Sequence, residues 1–123
     1  MGTRSHDDTV DLVQLGEEVL QAARNSSAGR SARALLRGPG AGLTQTLLAL
    51  TAGQRLDEHE SPEVATLYVL QGRVDLLAGD QAHPLSAGQW RPIPAMRHSV
   101  ESHEDAVVLL TVAAGKPPRE VTD

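Results

Sequence analysis

From Ser31 onward, short runs rich in Leu, Val and Thr are cut by Gly and Pro at intervals of roughly 8 to 12 residues. That rhythm leaves no room for helices between the runs. Strands without intervening helices pair antiparallel, through hairpins. The sequence predicts strands over 31–37, 43–51, 65–70, 73–77, 82–85, 90–93, 98–101 and 106–113, with a further short one entering His59. The turns between them are Gly38-Pro39-Gly40-Ala41-Gly42, Ala52-Gly53, Gln71-Gly72, Ala78-Gly79-Asp80-Gln81 and Ser86-Ala87-Gly88. Eight or nine short strands, each apolar on one face, close best as an antiparallel double-sheet jelly roll or barrel. Gly115-Lys116-Pro117-Pro118 cannot continue a central strand, because proline has no N–H for the ladder.

The residues before Ser31 have a different period. Leu12, Leu15, Val19 and Ala22 or Ala23 recur at helical spacing, with Glu17, Glu18, Gln21 and Arg24 largely on the other side. Asp8 is a candidate N-cap, with Asp11 where a capping box places its acid. The expectation is an amphipathic helix over 9–24, weakest at Gly16. A single apolar stripe of this length does not hold a helix in water, so it should pack on the barrel's outside. The organisation expected is a tail and helix over 1–30, a barrel over 31–115 and a C-terminal tail over 116–123.

Composition bounds the rest. Of 123 residues, 40% are hydrophobic and 22% charged, a globular mix. The chain has one Trp, one Tyr and no Phe, so the core must be built from Leu, Val, Ala and Ile. No apolar run reaches membrane-spanning length, and the first eight residues have no secretory h-region. The absence of cysteine removes disulfides, thiolate metal sites and Cys nucleophiles together, and fits the cytoplasm. A net charge of −5, with no dense basic block, argues against a nucleic-acid partner. No membrane partner is expected.

Two histidines are the candidates for chemistry. His59 follows the turn at Gly53, and His98 follows Pro94-Ala95-Met96-Arg97. Each enters a strand, so both can point inward at one mouth of a barrel. Neutral imidazole is the commonest side-chain metal ligand, and two inward rings are half of a site. Glu63, with its long side chain, or His83, on a neighbouring strand, could complete it; His103 falls in a turn and is a weaker choice. Glu58, Glu60 and Glu63 read as a solvated rim. Arg91 and Arg97 could clamp a carboxylate, but a surface salt bridge to Asp105 or Glu104 is the simpler expectation. Trp90 either floors a pocket, plugs a barrel end or covers a dimer face. Tyr68 points outward by alternation with Leu67 and Val69. Ser61 has no His-Asp partner pattern around it, so a serine nucleophile is not expected.

Gly53, His59 and Gly72 stand in register with the first motif of the cupin superfamily, and Gly79, the Leu85-to-Gly88 turn and His98 with the second. Over about residues 40–114 the chain resembles a small single-barrel cupin with a degenerate metal motif. The family's second His of the pair is Ser61 here, its Glu is Ala65, and its final Asn is Ser102. The resemblance implies a cavity holding a small organic ligand, for which the expected pocket is His59, Ser61, Leu67, Trp90 and His98. It also implies, as the alternative, a metal-dependent enzyme of dioxygenase, isomerase or cyclase type. There His59 and His98, with Glu63 or His83, would hold Zn, Fe, Mn or Ni weakly. Pairing of such barrels through their strands, together with the helix and an uncovered sheet face, implies a homodimer.

Overall fold

The structure is a computed structural model that describes residues 8–36, 42–59 and 64–113, with the backbone alone for 57–59. Ser61, Glu60, Glu63 and the 116–123 tail lie outside the described residues. One helix, α1 (Leu12–Arg24), precedes nine strands: β1 (Arg30–Leu36), β2 (Thr44–Leu50), β3 (Arg55–His59), β4 (Ala65–Gln71), β5 (Arg73–Ala78), β6 (Gln81–Ser86), β7 (Trp90–Pro92), β8 (His98–Ser102) and β9 (Ala106–Val112). No helix among the described residues is long and apolar enough to cross a membrane.

The strands form two antiparallel sheets, a five-stranded one in the order β1-β2-β9-β4-β7 and a four-stranded one in the order β3-β8-β5-β6. This is the expected all-β, double-sheet arrangement with an N-terminal helix. The period of two sorts each strand's residues. In β4, Ala65, Leu67 and Val69 are buried; in β5, Val74, Leu76 and Ala78 are. All but Ala78 meet Leu50, Leu85, Val100 and Val108 in the core between the sheets. The prolines inside strands, Pro84 in β6 and Pro92 in β7, sit on strands at the sheet edges, where a missing N–H is tolerated.

A second core lies on the outer face of the five-stranded sheet. There Leu15, Val19, Leu20 and Ala23 of α1 cover Leu47 and Ala49 of β2 and Val107 of β9. Leu20 joins the stripe expected from spacing, and Ala23, not Ala22, is the buried alanine. The cap also differs from expectation. Asp11, not Asp8, is the N-cap, its Oδ1 accepting from the N–H groups of Val13 at 3.0 Å and Gln14 at 3.1 Å. The side chain directly before Leu12 is the one within reach of those first orphan donors, and Asp8 stands three residues too early.

The helix end is tied to the barrel. Nε of Arg24 donates to Oδ2 of Asp105 at 2.9 Å, and the Ala52 N–H donates to Oδ1 at 2.9 Å. The Ala52 amide, with help from Arg24, holds the Asp105 carboxyl below its ordinary value of 3.8. A carboxyl lowered on folding contributes stability above its unfolded pKa and loses it as pH falls through the folded one. The Asp105→Asn protein should therefore be less stable than the parent at neutral pH, by up to about 1 kcal/mol for so exposed a pair. Urea unfolding at neutral pH and again below pH 3.8 checks this, because the two curves should converge in acid.

The end of the barrel near this tie is closed by backbone. Ser102, buried at the end of β8, donates its hydroxyl to the Thr51 carbonyl at 2.6 Å and accepts from the Gln54 N–H at 3.1 Å. The main chains of residues 53–54 and 102 add bonds of 2.9–3.0 Å.

Candidate functional site

The opposite end carries the histidines. His98 opens β8 directly across from His59, the last residue of β3. On its other side it faces Ala78 of β5. Residues directly opposite in a ladder share a sheet face. Positions 59, 98 and 78 thus form one row, and Leu56, Val100, Leu76 and His83 form the next.

His98 is 4% exposed. Its Nδ1 lies 2.9 Å from the Met96 carbonyl oxygen. A carbonyl only accepts, so Nδ1 carries the hydrogen, and in the neutral ring the lone pair is on Nε2. Pro94-Ala95-Met96-Arg97 is the turn that presents this carbonyl. Beside the ring is a hollow of about 30 Å³, lined by Leu48, Leu56, Leu67, Ile93, Val100 and Leu110 with the Ser99 segment. Each of those six aliphatic residues comes from a different segment, except that Val100 shares β8 with His98. They meet because β2, β3, β4, β8 and β9 all turn one face to the same interior.

Of the expected site residues, the fold therefore brings His98 and Leu67 to one hollow and sets His59 in register beside them. His83 is placed apart. It lies on the same sheet opposite Leu76, two strands from β8 and in the neighbouring row, which at about 4.8 Å per strand is roughly 10 Å to the side. His103 turns away altogether, its Nε2 lying 2.7 Å from Oδ2 of Asp75. Asp105 pairs with Arg24 and not with Arg91 or Arg97. Arg91 instead donates from Nε to the Pro92 carbonyl at 3.0 Å.

Trp90 also departs from the expected pocket. It stands opposite Tyr68, while Arg91 stands opposite Leu67. Leu67 faces the interior, so the Tyr68–Trp90 pair must face outward, and Trp90 is 57% exposed. Tyr68 is outward as its alternation implied. Leu48, Leu56, Ile93, Val100 and Leu110 were not singled out from the sequence. The signal was there for Val100, two residues beyond His98 on the same face, but the others need the sheet order.

No family model matches the sequence, and no curated protein matches it. Solved structures do. A conserved protein of unknown function from Streptococcus pyogenes is similar at 22% identity over 94% of this chain and 95% of its own, with a TM-score of 0.71. A cupin superfamily protein from Desulfitobacterium hafniense is similar at 18% identity over 70% of this chain and 78% of its own, with a TM-score of 0.64. A cupin 2 conserved barrel domain protein from Salinispora arenicola is similar at 21% identity over 72% of this chain and 82% of its own, with a TM-score of 0.60. Identities this low carry the fold and leave the activity to the site itself.

Proposed function

We infer that this chain, which has the cupin fold, binds a small organic molecule at the barrel end marked by the row of His59 and His98. The observation that supports the reading is His98. Among the described residues it is the one ionisable side chain on the wall of a hollow that is aliphatic apart from Ser99, and its ring is fixed by the Met96 carbonyl. Small-molecule sites are mostly apolar, with a few placed polar groups that orient the ligand.

The hollow is small. At about 30 Å³ it has room for on the order of one water, whereas ligand pockets run to roughly 300 Å³ and more. The ligand accordingly sits over the histidine row at the rim, with only an apolar tip in the hollow. Apolar rim residues suit that placement. Met96 is 46% exposed, and Val64, next to Ala65 at the start of β4, is 73% exposed. The ligand class is a compact apolar body bearing one hydroxyl or carboxyl group for the imidazole.

A second reading has His59 and His98 holding Zn, Fe, Mn or Ni, with dioxygenase, isomerase or cyclase chemistry to follow. The bond from Nδ1–H of His98 to a backbone carbonyl favours it, because metal-ligating histidines usually donate their other nitrogen in this way. The donor set limits it. Catalytic ions rest on about three protein ligands, and no three ligating side chains converge among the described residues. With His83 set aside, a third ligand would have to be Glu63, outside the described residues. We route no chemical step through an ion.

One thermal-shift series separates these readings. The parent and His98→Gln proteins are heated with short aliphatic and aromatic alcohols and carboxylic acids, then with each divalent metal and with EDTA. A ligand at a hundred times its Kd adds about 2.7 kcal/mol, on the order of 10 °C here. An organic shift lost in His98→Gln supports binding at this end. A metal shift reversed by EDTA and lost in His98→Gln supports the second reading. No shift, or equal shifts in both proteins, contradicts both.

A further inference from the structure

β6 and β7 follow one another in the chain but belong to different sheets, each on an edge. The seam between them opens as a cleft of about 290 Å³, lined by Pro84, Leu85, Gln89, Trp90 and Arg91. That is close to the roughly 300 Å³ at which ligand pockets begin. None of these residues lines the hollow beside His98.

The backbone sends Arg91 into this seam. The Gln89 carbonyl accepts from the Val69 N–H at 3.0 Å, and the Ile93 N–H donates to the Ala65 carbonyl at 2.9 Å. Bonding in an antiparallel ladder alternates, so residues 90 and 92 turn their backbone groups to the free edge of β7. The Pro92 carbonyl there accepts from Arg91 Nε at 3.0 Å, which folds the guanidinium over that edge. Its two terminal nitrogens have no hydrogen-bond or ion-pair partner among the described residues. The chain carries 16 acidic residues against 11 basic ones, yet among the described residues no carboxylate lines the cleft.

Two neighbours are set beside this cation. Gln89 Oε1 accepts from the Ser86 N–H at 2.8 Å, and the Gln89 N–H donates to the Ser86 carbonyl at 3.0 Å. The turn thereby holds the side-chain amide with its Nε2 donors unused among the described residues. Trp90 is 57% exposed, a large flat apolar face left in water next to the guanidinium.

We propose that the seam binds a small aromatic carboxylate, with its ring on the Trp90 indole, its carboxylate on the terminal nitrogens of Arg91 and Gln89 Nε2 as a further donor. A guanidinium holds a carboxylate through two parallel N–H···O bonds, and flat rings stack offset on an indole. The bond from Nε to Pro92 orders the guanidinium before a ligand arrives, which lowers the cost of binding. The inference is independent of what the histidine end binds.

Trp90 is the only tryptophan, so its indole N–H gives a single signal in an N–H correlation NMR spectrum. Titration of the parent protein with benzoate should move that signal and the Arg91 Nε–H along one saturating curve. Acetate lacks the ring, and benzamide and benzyl alcohol lack the charge, so each should bind at least about tenfold more weakly. Arg91→Gln should weaken benzoate binding by roughly ten- to a hundredfold, the range for a charge-assisted bond. Arg91→Lys keeps the charge without the planar pair of donors and should fall between. Circular dichroism of both variants should match the parent. An indole signal that benzoate leaves unmoved in the parent overturns the proposal. So does an equal response to acetate or benzyl alcohol, or a Trp90 shift that survives Arg91→Gln. Benzoate that moves the His98 ring protons alone would overturn the seam site while leaving the reading of the histidine end in place.

Discussion

The Gly72→Ala protein is expected to lose roughly 3 kcal/mol or more and to melt more than about 10 °C below the parent. Gly72 joins β4 to β5 with φ at 83°, a region that costs a residue with a Cβ about 1–3 kcal/mol. Space makes it worse. An added Cβ would overlap the Asp105 carbonyl oxygen and stand 2.8 Å from Ala106 Cα, both of them main chain. A flexible side chain could swing aside, but these atoms belong to the start of β9, which is locked between β2 and β4. Gly53 supplies the control. Its φ is also 83°, yet nothing stands within 4 Å of its would-be Cβ. Gly53→Ala should thus show the conformational cost alone, and the gap between the two midpoints measures the close approach. Equal losses in the two variants would refute the steric part of the argument.

Leu67→Ala is expected to cost 2–5 kcal/mol. Leu67 is 1% exposed and is paired with Leu110 on one side and Arg91 on the other. It also lines the hollow beside His98. With aromatic residues scarce, the core between the sheets is built from Leu, Val, Ala and Ile, and the one ring beside the gap among the described residues, His98, is held by the Met96 carbonyl. Chemical denaturation gives the number directly. A loss below about 1 kcal/mol would mean that Leu67 is not packed as described. The same change on the outer face, at half-buried Leu109, should cost visibly less.

Much of this fold was legible because its signals are local. Turn glycines such as Gly53, Gly72 and Gly88 have positive φ, a conformation that glycine takes at little cost, so they mark strand ends in the sequence itself. Apolar alternation in β4 and β5 then sets which side faces in. The helix followed from its 3.6-residue stripe, but its cap did not, because Asp8 and Asp11 are both chemically suitable and only the chain path chooses.

The site was legible in part for the same reason. His59 and His98 are each announced by a preceding turn, but their register across β3 and β8 is a long-range fact that no local pattern encodes. Trp90 was misplaced because β7 is three residues long, too short for alternation to reveal its face. Only its partner Tyr68 does so. His83 was misjudged in distance rather than face. It lies on the right side of its sheet, but the order β3-β8-β5-β6 inserts β5 between it and His98, and strand order is not written in strand sequence.

The central claim is that ligand binding centres on the aliphatic hollow beside His98. Methyl-labelled NMR tests it most directly, using whichever organic compound gives the largest thermal shift. The account predicts that titration moves the methyl signals of Leu56, Leu67, Ile93 and Leu110, and the His98 ring protons, along one saturating curve. Unmoved signals at these five residues, or movement confined to Leu12, Val13 and Leu70 on the far side of the sheet, would contradict it.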